Sequence, residues 1–196
     1  MSKRAGRNTK GRIVSAAWSL FYSQGYDNTT VEEIIEESGT SRGSFYHYFE
    51  GKDALLSSLS YLFDEKYEEL MDQITPDMDS FEALMFLNRE LFAMIENSIS
   101  LDLLARLYSS QLVTRGEKHL LDRNRTYYKL LRRIISEGQQ KGQLTQDATV
   151  NEMVRVYAMC ERALIYDWCL SEGSYSLTHY GRTMLPRFLD SFRVKS

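Results

Sequence analysis

Apolar residues recur at helical spacing along most of the chain, and no stretch reads convincingly as a strand. Between residues 7 and 24, Ile13, Ala17, Leu20 and Phe21 stand at i, i+4, i+7 and i+8, which is one helical face, and Gly25 ends the run. Trp18 lies off that stripe and is expected to pack on a neighbouring helix. Val31, Ile34 and Ile35 predict the buried side of a second helix at 31–38. Phe45 and Phe49, four apart, predict that of a third at 42–49. Longer helical patterns follow at 52–74, 81–97, 100–114, 117–141, 149–172 and 177–194, the last with Pro186 inside it as an expected kink. The sum is nine helices and an all-α fold.

The ends of the early helices are written in local chemistry. Thr30 and Glu33 have the spacing of a capping box, in which each side chain satisfies the other's unpaired backbone N–H. Gly39 breaks the second helix, Thr40 and Ser41 make a tight turn, and Ser41 is a good N-cap for the third. With Phe45 and Phe49 turned inward, Arg42, Gly43, Ser44, Tyr46, His47 and Tyr48 are left on or near the outward side. That face, polar, aromatic and free of acid, suits a helix that touches a partner, and the pair of short helices reads as a DNA-binding helix-turn-helix. Later, Asp79 or Ser80 can cap the helix at 81–97, Asp147 or Thr149 can start the one at 149–172, and Gly142 closes the one before it.

Charge distribution supports this reading more than total charge does. The formal net charge of −3 argues against nucleic acid, but residues 1–12 hold Lys3, Arg4, Arg7, Lys10 and Arg12 with no acid. A basic end on an acidic body is the asymmetry of a DNA binder with a second domain. Residues 1–6 read as a mobile basic arm for phosphate or minor-groove contacts. The two cysteines, Cys160 and Cys169, share one expected helix, too far apart along it to bridge, which fits a reducing cytoplasm. No apolar run is long enough to span a membrane, and no signal peptide is visible. His47, His119 and His179 have no metal-ligand spacing, and no phosphate loop or catalytic constellation is present, so neither a cofactor nor an enzyme activity is expected.

Arg12-Ile13, Ala16-Ala17, Leu20-Phe21, Gly25-Tyr26, Thr29-Thr30-Val31, Ile34, and then Gly39-x-Ser41-x-Gly43-Ser44-Phe45-Tyr46-x-Tyr48-Phe49-x-x-Lys52-x-x-Leu55 closely resemble the N-terminal domain of the TetR family of bacterial transcriptional regulators. The likeness runs over about residues 7–60 without a gap; Glu137-Gly138-Gln139-Gln140-Lys141-Gly142 is a weaker echo. The resemblance implies a three-helix DNA-binding domain at 1–51 and a six-helix ligand-binding and dimerisation domain at 52–196. It also implies a homodimer whose last two helices pair with their mates, and repression at an operator that a small-molecule effector relieves.

On this reading Thr29, Thr30, Tyr46, Tyr48 and Lys52 position the protein on phosphates. Arg42 donates to a guanine edge, Gly43 permits close backbone approach, and Ser44 and His47 are secondary base readers at a helix that Ser41 caps. Lys52 stands at a helix N-terminus, where a cation opposes the macrodipole; either a phosphate explains it or it is simply solvated. Glu32, Glu33, Glu36 and Glu37 are expected to face solvent or serve in caps. For the effector, Met94, Tyr108, Tyr128, Tyr157, Glu161 and Trp168 are the candidates, each with the plainer alternative of core packing. Glu161 falls on an apolar face and must find a partner, either an arginine such as Arg125 or Arg132 or a cationic or hydroxylated ligand. The cysteines are oxidant sensors or, more simply, small buried hydrophobes. A rival reading is a helical protein that uses the same aromatic face on a protein partner, and a helical carboxylate enzyme is more distant, since no Glu-x-x-His pair exists.

Overall fold

A computed structural model describes the backbone of residues 2–113 and 118–194, and among these the side chains of all but 2–8 and 61. The described residues form ten α-helices: α1 (Ser2–Gln24), α2 (Val31–Glu37), α3 (Arg42–Tyr48), α4 (Lys52–Leu56), α5 (Leu59–Met71), α6 (Ser80–Ser98), α7 (Leu101–Val113), α8 (Thr126–Gln140), α9 (Val150–Leu170) and α10 (Leu177–Phe188). Short 3₁₀ turns stand at His119–Leu121 and Asp190–Phe192, and Leu144 and Arg193 form an isolated antiparallel bridge. The all-α expectation holds. The arm residues Lys3, Arg4 and Arg7 have side chains outside the described ones.

The chain divides into two compact units, one of Met1–Tyr61 with Asp102–Gly116 and one of Leu62–Leu101 with Glu117–Ser196. In this division α4 and nearly all of α7 go with the first unit. In that unit α1 packs on α2 and α3, and α2 on α3. Ile13, Ala17, Phe21, Ile34, Phe45 and Leu55 form its interior. Val31 and Ile35, expected inside, are only half-buried. Gly25 and Gly39 end α1 and α2 in the left-handed region, at φ +86° and +58°, where a side chain would be strained. In the second unit α10 packs on α6 and α9, and α8 on α6 and α9. Gly181 permits the α10–α6 approach, since a Cβ there would lie 2.5 Å from the Phe92 ring.

Three long helical patterns are cut shorter than expected. The run at 52–74 breaks at Ser57–Ser58 into α4 and α5. Ser58 Oγ donates back to the Leu55 carbonyl, Ser60 Oγ donates to that of Ser57, and the Trp18 indole holds Ser58 Oγ at 2.8 Å. The run at 117–141 is helical as α8 only from Thr126, because Asp122 Oδ1 accepts the Asn124 N–H at 2.9 Å and turns the chain. The last helix stops at Phe188, two residues after Pro186, and the Phe192 carbonyl then accepts the Thr145 N–H at 2.9 Å.

Candidate nucleic-acid interface

The short α3 is held from behind and capped from below. Phe45 is fully buried, Phe49 nearly so, and their ring centres lie 5.9 Å apart. Ser41 Oγ accepts the Ser44 N–H at 3.1 Å, the cap expected from its position. One helix earlier, Thr30 and Glu33 form the capping box: the Thr30 N–H donates to Glu33 Oε2 at 2.7 Å, and Thr30 Oγ1 accepts the Glu33 N–H at 3.2 Å. These bonds to Thr30, its backbone N–H first, hold the Glu33 carboxyl below its ordinary value.

Arg42, Gly43, Tyr46 and His47 are exposed on the opposite face of α3, with Ser44 and Tyr48 half-exposed. Arg42 lies 3.4 Å from Glu32, with 70% and 64% of the two side chains exposed, and its guanidinium sits 5.7 Å over the Tyr46 ring. An ion pair so open to water contributes ~0–1 kcal/mol, so a stronger acceptor displaces it readily. Glu33 serves in a cap and Glu32 faces solvent, both as expected, Glu32 meeting the arginine of the next helix there.

Two residues expected at phosphates make their bonds to backbone carbonyls of the first unit. Thr29 is 1% exposed, and its hydroxyl donates to the Gly25 carbonyl at 2.8 Å. Lys52 Nζ donates to the carbonyls of Tyr26 (2.7 Å) and Thr29 (2.9 Å) and lies 4.4 Å over the Tyr26 ring. The lysine at the start of α4 thus ties together the carbonyls of the α1–α2 turn. Arg106 of α7 grips the same turn: it pairs with Asp27 and with Asp102, and its guanidinium lies 4.9 Å from the centre of the Tyr26 ring. Tyr26 donates to Asp53, and burial followed by that bond drives its phenol well above the ordinary value. Nothing local marks Asp27 and Arg106 as partners, because 79 positions separate them in the chain.

The effector candidates do not converge as a group. Tyr157 and Glu161 lie together in the core of the second unit. Glu161 is 3% exposed; Oε1 accepts from Asn88 Nδ2 at 2.8 Å and Oε2 from the Tyr127 hydroxyl at 2.6 Å. Burial pushes its carboxyl up, against the pull of those bonds and the more distant Arg162. The expected arginine partners are engaged elsewhere. Arg125 forms a two-point pair with Asp64 at 2.9 and 3.2 Å, and Arg132 donates to the Arg123 carbonyl at 2.8 Å. Tyr128 faces another way, donating to the Leu120 carbonyl at 3.0 Å. Trp168 donates to the Tyr175 carbonyl at 2.8 Å, Met94 is half-buried on α6, and Tyr108 is on α7 in the first unit. Cys160 and Cys169 are half-buried, and burial raises both thiols, that of Cys169 to about 11, which disfavours the reactive thiolate. Among the described residues no group of acids, histidines and cysteines is placed to hold a metal ion, and no helix is long and apolar enough to cross a membrane.

This architecture has known counterparts. The sequence pattern of the bacterial regulatory proteins of the tetR family matches residues 13–59. An uncharacterised HTH-type transcriptional regulator of Bacillus subtilis, YuxN, is 41% identical over 61 residues, a match to 31% of this chain and only 21% of that protein's length. The HTH-type transcriptional regulator TtgR of Pseudomonas putida is 24% identical over 206 aligned residues, which cover 98% of this chain and 95% of TtgR. Among solved structures, Thermus thermophilus FadR, a TetR-family transcriptional repressor in complex with lauroyl-CoA, superimposes with a TM-score of 0.75 at 25% identity, covering 95% of this chain and 96% of that one.

Proposed function

The chain belongs to the TetR family of bacterial regulators, and from that premise we propose that it is a transcriptional repressor of the cytoplasm: a homodimer that reads a palindromic operator with paired α3 helices and is released by a small-molecule effector. The observation that carries the proposal is the outward face of α3. Arg42, Tyr46 and His47 stand in solvent on a helix locked from behind by Phe45 and Phe49 and capped by Ser41, so these side chains are presented on a rigid base. Arg42 reads a guanine edge, Gly43 allows the backbone to approach, and Ser44 and His47 read beside it. Tyr46, Tyr48 and the start of α2 at Thr30 take phosphates. Thr29 and Lys52 act indirectly, by holding the turn that sets α2 against α1.

Dimer formation is supported by a row of exposed apolar side chains on α9, Val156, Met159, Tyr166 and Leu170, continued on α10 by Tyr180 and Phe188. A helix with its core side buried and a second apolar stripe in water is built for a second partner, and two such helices from each copy make a four-helix bundle. Two-fold symmetry in the protein then demands two-fold symmetry in the operator. The effector belongs to the helical remainder that follows the DNA-binding segment. The test is binding of the chain to DNA flanking its own gene, followed across salt. The expected result is a footprint of two symmetric half-sites and an affinity that falls steeply between low and moderate salt. A salt-insensitive interaction, or a binding partner that is protein, would reject the reading.

A further inference from the structure

Between α8 and α9 the second unit opens a cavity of about 410 Å³ whose wall carries four arginines and no acid. Arg123 comes from the connector before α8, Arg132 from α8, and Arg155 and Arg162 from α9 one above the other. Two of them are oriented by neutral acceptors. Arg162 Nη1 donates to the Tyr128 hydroxyl at 3.2 Å, and that hydroxyl is itself fixed by its bond to the Leu120 carbonyl. Arg132 Nη2 donates to the Arg123 carbonyl at 2.8 Å. Such bonds aim a guanidinium without cancelling its charge. Among the described residues none of the four is ion-paired; Glu161 feels the field of Arg162 from the core, but its two oxygens are already taken by Asn88 and Tyr127. Arginines on an open face are dispersed by water. These share one concavity floored by the buried Tyr128, Val154 and Ala158, where like charges reinforce one another.

We propose that this cavity is an anion site that takes a phosphate-bearing small molecule, with its phosphates among the arginines and an apolar portion against Val154 and Ala158. Each guanidinium offers five N–H donors in a planar fork that matches phosphate oxygens two at a time. One carboxylate, with two oxygens and a single charge, leaves most of that donor set unmet, whereas a phosphate or diphosphate supplies both the oxygens and the charge. The site is built from residues of the second unit and does not depend on the reading of α3, in the first, as a DNA surface.

The test is a titration of the full chain with inorganic pyrophosphate at low ionic strength, read by calorimetry and by thermal melting. Saturable binding of one pyrophosphate per chain is expected, with a melting temperature raised by roughly 5–10 °C at a hundredfold excess over Kd. Arg155→Gln and Arg132→Gln should each weaken binding by about tenfold or more, while Arg89→Gln and Arg182→Gln, at a separate groove between α6 and α10, should bind as the parent does. Arg155 is exposed, so its variant is expected to fold and melt normally without ligand. Three results would each overturn the proposal: no saturable binding; equal binding by Arg155→Gln; or sulfate at the same ionic strength binding as tightly as pyrophosphate. A change of native mass in Arg155→Gln with unaltered pyrophosphate affinity would assign the cluster to acids of a second copy instead. Because the readout needs no DNA, failure here leaves the operator reading standing, and failure of operator binding leaves this one.

Discussion

The α3 face and the Glu161 cluster are both polar constellations on helices, and they are built on opposite economies of water. Arg42 and Glu32 meet in solvent, where their attraction is small and easily exchanged for another partner. Glu161 meets Asn88 and Tyr127 in the core, where every bond is strengthened by exclusion of water and every missing one is costly. The first arrangement is suited to release and recapture. The second ties α9 to α6 and α8 and specifies how they pack. Side chains of similar chemistry therefore serve recognition or architecture according to burial.

The contrast is broken first, and with the largest effect, by Tyr127→Phe. It leaves Glu161 Oε2 without its donor in the core and should cost ~1–3 kcal/mol of stability in urea unfolding, with operator affinity unchanged for the folded fraction. An unchanged unfolding midpoint would mean that the cluster is not architectural. Next, Lys52→Met removes two bonds to turn carbonyls and should destabilise the chain by ~1–2 kcal/mol. Its loss of operator binding should be about equal on all sequences and recover with stabilising osmolyte. If it binds less well with stability intact, the lysine touches DNA after all.

Arg42→Ala should do the reverse. Its stability is expected to stay within about 0.5 kcal/mol of the parent, while discrimination at one operator base pair falls by ~1–3 kcal/mol in competition binding. Retained discrimination would remove Arg42 from the reading role. The smallest effect is a pH dependence. A carboxyl raised by burial holds its proton more tightly folded than unfolded, so Glu161 adds stability as pH falls from neutral through its raised value towards the ordinary glutamate range. Glu33, Glu96 and Glu152 are shifted down and act in the opposite sense, their contribution disappearing as pH falls through their lowered values. The difference between parent and Glu161→Gln isolates the first contribution: the parent should gain relative to the variant as pH falls from neutral towards the ordinary glutamate range, and a constant gap would show that Glu161 does not titrate there.

Much of the helix-turn-helix was legible because its signals are short-range. The Thr30–Glu33 box, the Ser41 cap, the Gly39 break and the inward Phe45–Phe49 pair each span five residues or fewer, and all are found. The second capping box, Thr149 with Glu152, belongs to the same class. Periodicity overran at 57–58 and at 122–125, because it reports which side of a helix is apolar and carries little information about where backbone bonds are interrupted. In both places serine, aspartate or asparagine offered the backbone another partner, which is the signal that could have marked the break.

The sequence by itself determined the class of the fold, the ends of its short helices and the polar face of α3, since each follows from the chemistry of neighbours along one helix. Only the tertiary structure decided what Lys52, Arg106 and Glu161 do. Lys52 closes a turn 23 and 26 residues away, Arg106 one 79 away, and Glu161 takes its donors from 73 and 34 positions off. A charged side chain is satisfied by whatever polar atom lies within a hydrogen bond's reach in space, and packing places that atom without regard to its distance along the chain.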